Sequence, residues 1–183
     1  MKVLVAVASR HGSTREIAET IAAELRANGL TADTREVAAV ASVDCYDAVI
    51  LGSAVYMGSW LPEAQRFVTH HEAALASVPV WLFSSGPLGA EEPKPLGDPA
   101  QMPDILRATH AREHRIFVGK LEPRTLGFGE RLIMTVVHPP IGDFRDWDAI
   151  REWARLIAAD LATPVGLNVR QWGEALGFHV TSG

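Results

Sequence analysis

A doubly wound α/β fold built on a five-stranded parallel sheet is what this sequence predicts, on three observations. Short runs rich in Val and Ile alternate with longer stretches of helical period, as repeated strand-helix-strand units require. At least one of these runs, Ala48 to Leu51, is continuously apolar, as in a strand covered by helices on both faces. The segments after the first, third and fourth runs are rich in Gly, Ser and aromatic residues, and an open parallel sheet binds its ligand beyond the carboxyl ends of its strands. The 183 residues, 48% of them apolar, suffice for one domain with a sizeable core and leave no room for a second.

The first strand is read at Lys2 to Ala8. Its apolar run stops at Arg10 and is too short for a signal peptide. Ser13 to Asn28 places Ile17, Ile21, Ala22 and Leu25 on one helical face, and Asn28-Gly29 supplies a left-handed stop. A second strand follows near Ala32 to Val37, and Ala48 to Leu51 is the third. Pro62 suits the first turn of a helix reaching about Ala76, with Phe67, Val68 and Leu75 inward. Val80 to Phe83 is the fourth strand. Ser84 to Pro103 holds five prolines and three glycines in twenty residues and reads as loop. A short helix around Asp104 to His110 precedes the fifth strand, Arg115 to Val118. Trp147 to Leu161 is the last helix, with Ile150, Trp153, Ala154 and Ile157 inward. The expected domain covers residues 1–162. Gly119 to Phe144 is an insertion between last strand and last helix, and residues 163–183 are an extension in which Arg170 to Phe178 could form a short amphipathic helix.

Chemistry is concentrated in three loops. Ser9-Arg10-His11-Gly12-Ser13-Thr14 sets three hydroxyls and a glycine between a buried strand and a helix start. Amides at a helix N-terminus point at an anion, the helix dipole favours it, and glycine allows close approach. The loop lacks the lysine of a triphosphate-binding loop and the three spaced glycines of a dinucleotide fingerprint, so a monophosphate fits better. A simple Ser/Thr cap without ligand is the alternative. The second loop, Gly52 to Trp60, contains Ala54, Val55, Tyr56, Met57, Gly58 and Trp60, and its aromatics could stack on a flat heterocycle. The third, Ser84-Ser85-Gly86-Pro87-Leu88-Gly89, offers backbone donors to ring carbonyls.

Ser9 to Thr14, Gly52 to Trp60 and Phe83 to Gly86 resemble the three FMN-binding loops of the flavodoxin family, over residues 1 to about 120. That resemblance implies a flavodoxin-like fold, FMN as cofactor, and a phosphate held by Ser9, Gly12, Ser13 and Thr14. It also implies that Trp60 or Tyr56 covers the flavin ring, and that Gly58 lies near N5, where the Met57-Gly58 peptide could flip. The insertion, together with Arg10, Gly12, Thr14, Arg15, Gln65-Arg66-Phe67-Val68 and Asp146-Trp147, is similar to the flavodoxin-like, menaquinone-dependent protoporphyrinogen oxidases. The second loop departs from that family, with Tyr56 and Met57 where Arg and Tyr are expected. An organic electron donor and a quinone acceptor are the implied partners. The apolar residues of the insertion, Leu121, Leu126, Phe128, Leu132, Ile133, Met134, Val136 and Val137, with Arg124 and Arg131, could form a lip for a quinone or a membrane surface, or pack on the domain edge.

Several classes are disfavoured. A net charge of −5 provides no basic field for nucleic acid. The lone Cys45 can form neither an internal disulfide nor a dithiol pair, so redox chemistry would need a cofactor, and a reducing cytoplasmic setting, with contact at the inner membrane face, is expected. No metal site is expected. His70-His71 lacks the zincin pattern, and His110 and His114 have ligand spacing only if one helix spans both. Arg10, His11 and Arg112 could balance a phosphate or an acidic substrate. Two other functions stay open: an electron carrier docking on protein partners, and a flavin-free interaction module. A carrier's strongly acidic docking face is missing from this mild composition.

Overall fold

The computed structural model describes residues 1–86, 97–121 and 142–163. Its main sheet is formed by β1 (Lys2–Ala8), β2 (Thr31–Glu36), β3 (Ala48–Tyr56), β5 (Val80–Gly86) and β6 (Glu113–Val118), in the order β2-β1-β3-β5-β6. All four pairings along this path are parallel, with Val5 beside Thr34 and Ile50, Leu51 beside Leu82, and Phe83 beside Arg115. The two-residue β4 (Ser59–Trp60) folds back antiparallel on the end of β3. The winding order reverses between β1 and β3, so the loops after these strands face one crevice.

Alternation along each strand feeds two cores. Val3, Val5 and Val7 pack with α1 (Ser13–Ala27) and α5 (Trp147–Ala162), through Ile17, Ile21, Leu25, Ile150, Trp153 and Ile157. Leu4, Ala6 and Ala8 face the opposite layer, made by α2 (Pro62–His70), α3 (Glu72–Leu75) and α4 (Met102–Thr109). Each helix boundary has a local cause. Pro62 stands at the first turn of α2, and Asp146 caps α5 by accepting the Ala149 amide at 2.9 Å. Gly29, at φ 84°, closes α1 while the Leu30 amide reaches back to the Leu25 carbonyl at 3.1 Å.

The five strands and their helices lie in the order expected, with two main differences. Strands β3 and β5 continue to Tyr56 and Gly86, because sheet hydrogen bonding runs on through Gly52, Ser53, Ser84 and Ser85 despite their turn-like composition. The helix expected from Pro62 to about Ala76 is broken at His71 (φ −109°, ψ 16°), whose ring packs on Phe67 at 4.6 Å. His110 ends α4 in a left-handed conformation and His114 lies within β6, so the two do not share a helical turn. Within the insertion, β7 (Lys120–Leu121) pairs antiparallel with β8 (Gly142–Asp143). The amphipathic lip expected from its middle and the helix expected over Arg170 to Phe178 fall outside the described residues.

Candidate functional site

After β1 the chain turns through Ser9 to Gly12. Ser9 Oγ accepts the Gly12 amide at 3.1 Å, and Gly12, at φ 87°, caps α1 without any side chain. A left-handed backbone here suits glycine, and a Cβ placed on Gly12 would meet nothing within 4 Å. The backbone at Gly12 is therefore uncrowded on that side, and a helix start is where an anion cradle is expected. Thr14 is buried, whereas Ser13 is half-buried and its Oγ accepts the Lys120 amide at 3.1 Å. A hydroxyl accepting one bond still has its own proton to donate. Glu36, at the end of β2, backs this loop with Arg15 3.8 Å away; burial pushes its carboxyl up, against the pull of Arg15.

The second loop is a hairpin. Val55 pairs with Trp60 and Tyr56 with Ser59, leaving Met57 (φ 50°) and Gly58 (φ 75°) as a two-residue turn with both φ positive, the type I′ geometry that matches strand twist. The Gly58 carbonyl accepts the Ala100 amide at 3.0 Å, and the Trp60 amide donates to Gln101 Oε1 at 3.3 Å. The Arg10 guanidinium lies over the Tyr56 ring, 4.7 Å from its centre, and joins this hairpin to the first loop.

Of the two aromatics proposed as a ring cover, Trp60 is 1% exposed and belongs to the core. Its indole donates to Ser84 Oγ at 2.7 Å, and its burial leaves neither ring face open to a ligand. Tyr56 is half-buried, at the hairpin's rim. Ser84 and Ser85 are buried, and Ser53 Oγ is spent on the Leu61 amide and the Ala54 carbonyl. The β5 end therefore presents backbone and Gly86 to the crevice more than hydroxyls. Pro87 falls outside the described residues.

Two contributors had no clear sequence signal. Gly119, directly after β6, brings the insertion's stem against the site: a Cβ there would lie 3.2 Å from the Gly86 carbonyl and 3.9 Å from Ser13 Oγ. Arg145 has a side chain only 2% exposed and forms a clamp. It donates to Asp143 Oδ1 at 2.7 Å and to Glu16 Oε2 at 2.7 Å, and its guanidinium covers the Trp147 ring at 4.3 Å. Hydrogen bonding to Arg145 holds the Asp143 carboxyl below its usual range. Arg112, by contrast, stands at the amino ends of the strands, its amide on the Val80 carbonyl and its guanidinium on Asp160, remote from the three loops.

The flavodoxin domain model matches residues 4–146. The chain belongs to that family. Over 86 residues it is 35% identical to the protoporphyrinogen IX dehydrogenase [quinone] of Escherichia coli K12, a match that covers 46% of this chain and 48% of that protein, about half the length of each. A flavodoxin from the domain Archaea superposes with a TM-score of 0.61 at 16% identity, covering 89% of this chain and all of that one. The flavodoxin of Streptococcus pneumonia TIGR4 gives 0.58 at 19%, covering 87% and 99%. At such identities these structures speak for the fold. Family and fold together imply a flavin cofactor. The residues present suit its phosphate end, with an open, glycine-capped helix start and the Ser13 hydroxyl.

Proposed function

We propose that the chain is an FMN-dependent oxidoreductase that takes electrons from a reduced organic donor and passes them to a quinone at one exposed flavin edge. The observation that carries this is the convergence of the three loops, with Arg10 over Tyr56 at 4.7 Å on one side and Gly119 wedged against Gly86 and Ser13 on the other. The phosphate would sit on the Ser13 and Thr14 amides and the Ser13 hydroxyl, with Arg10 and His11 balancing its charge. Tyr56 would flank the ring, and backbone from the β5 end would meet its polar edge.

The flavin supplies the electron chemistry, while the chain orients it, excludes water from one face and places donors around it. No side chain then has to act as acid or base. The quinone acceptor rests on the partial match to the quinone-linked enzyme and on the insertion emerging beside the site. Among the described residues no helix is long and apolar enough to cross a membrane.

The test is an absorbance spectrum after adding FMN and removing the excess, followed by anaerobic mixing of the reduced protein with a menaquinone analogue. Bound flavin that is rapidly reoxidised is the expected result. Bound flavin left reduced would mean an electron carrier instead, and no bound flavin would overturn the proposal.

A further inference from the structure

One hydrogen-bonded chain in the molecule starts outside the three loops and reaches two of them. Asp98, just before α4, lies 3.0 Å from His114 Nδ1, and His114 Nε2 lies 2.8 Å from Ser84 Oγ. That oxygen accepts the Trp60 indole N–H at 2.7 Å. A carboxylate only accepts and an indole only donates, so the proton positions follow. Neutral His114 holds its proton on Nδ1, toward Asp98, and its bare Nε2 accepts the Ser84 hydroxyl. Ser84 then gives one bond and takes one.

The order carboxylate, imidazole, hydroxyl is that of a serine hydrolase, but Ser84 is 0% exposed and its oxygen is covered by an indole. No acyl substrate can reach it. The chain leads instead to Trp60, which fixes β4 and, through the Val55–Trp60 pair, the turn that carries Tyr56, Met57 and Gly58.

We propose that His114 is a positioning residue: acting through Ser84 and Trp60, it holds the β3–β4 hairpin against the flavin site while its imidazole is neutral and releases it when protonated. The proposal rests on the flavin reading only in naming what the hairpin faces. A protonated imidazole must donate from Nε2 as well as Nδ1. Ser84 Oγ would then receive two donors, and its own proton would lose its acceptor at a residue that is fully buried.

The surroundings favour the neutral form, since burial lowers the affinity of His114 for a proton and Asp98 only partly opposes this. Among the described residues Asp98 is the charged group acting on the ring. On its own strand, Glu113 and Arg115 bond to each other and Glu113 also to Trp153, on the other face of the sheet. On the β5 side its neighbours are Leu82 and Ser84, both uncharged. The charges of α4, Asp104 and Arg107, are paired with each other in solvent, and His110 is exposed beyond them.

The experiment follows two indole protons by NMR in the cofactor-free protein, with Trp153, bonded to Glu113 at 2.8 Å, as the internal reference. As the pH is taken from neutral to well below the ordinary imidazole value of 6.5, because burial lowers the proton affinity of His114, the Trp60 proton should gain roughly tenfold in exchange rate relative to Trp153. His114→Gln, whose amide oxygen can still accept from Ser84 without titrating, should flatten that dependence, and Ser84→Ala should give fast exchange at both pH values. FMN affinity, read from quenching of flavin fluorescence, should fall with the same midpoint in the wild type and not in H114Q. A Trp60 signal indifferent to pH while His114 titrates would overturn the proposal whether or not flavin binds. A Trp60 signal that follows His114 in a protein that binds no FMN would support the link and overturn only the flavin reading.

Discussion

Ser13 Oγ accepts the Lys120 amide and still has a proton to give, whereas Thr14 is buried beside it. The two hydroxyls are therefore not equivalent, although both stand in the motif. Ser13→Ala should weaken FMN binding by about 1.5–3 kcal/mol, the range for a hydrogen bond to a charged group. Thr14→Val should cost less affinity, and titration of flavin fluorescence would distinguish them. Gly58 poses a different residue-scale problem. A Cβ there meets nothing within 4 Å, so the cost of Gly58→Ala lies in the positive φ of 75° alone, about 1–2 kcal/mol by urea unfolding. Met57 already carries such a cost at φ 50°, and flipping the Met57-Gly58 peptide from this turn would place Met57 where glycine is preferred. Which aromatic faces the crevice was not legible in sequence. Tyr56 and Trp60 are two large rings four residues apart, and only the two-residue turn turns the second one inward to Ser84.

At the scale of elements, apolar runs and helical period made β1, α1 and α5 readable, since each buries an uninterrupted face. The ends of β3 and β5 were not, because Gly52-Ser53 and Ser84-Ser85 look like turn residues and are held in the sheet by their neighbours' hydrogen bonds. Gly52 shows why a glycine can stand mid-strand. A Cβ at that position would lie 2.0 Å from the Phe83 ring, which is itself enclosed by Phe117 and Trp153 at centroid distances of 6.2 Å. Gly52→Ala should therefore destabilise the fold by about 1–3 kcal/mol or more, through overpacking rather than backbone strain, and shift the near-ultraviolet circular dichroism of the aromatic cluster. An unchanged unfolding midpoint would show that Phe83 can move aside. The Arg145 clamp escaped the sequence because its partners are distant: Glu16 is 129 residues away, and nothing in local composition ties an arginine before α5 to a glutamate in α1.

Across the whole molecule these local devices set how stability depends on acidity. His114 binds its proton less readily in the fold than in the unfolded chain, because of burial, so the unfolded chain carries more protons between the two affinities and stability rises with pH there. Its contribution is complete above the ordinary value of 6.5 and declines as the pH falls below it; His71, half-buried, acts in the same direction. Asp143 adds a loss at lower pH, as the pH falls through and beneath its ordinary 3.8, and Glu36, raised by burial, opposes both by costing stability as pH climbs past 4.5. Urea midpoints should therefore drop between about pH 7 and 5 in the wild type and drop less in His114→Gln. The three-loop crevice was foreseeable from strand order and loop content, while the buried polar links were not, because they join residues that only the folded sheet makes neighbours. The β7–β8 stem carries one more implication. Lys120 and Leu121 sit opposite Asp143 and Gly142, so the stretch from 122 to 141 leaves and re-enters the domain at a single doorway latched by Arg145. A segment attached in that way can be shortened, lengthened or exchanged between relatives without re-threading the sheet, which gives evolution a cassette for changing what approaches the cofactor while the fold beneath is inherited whole.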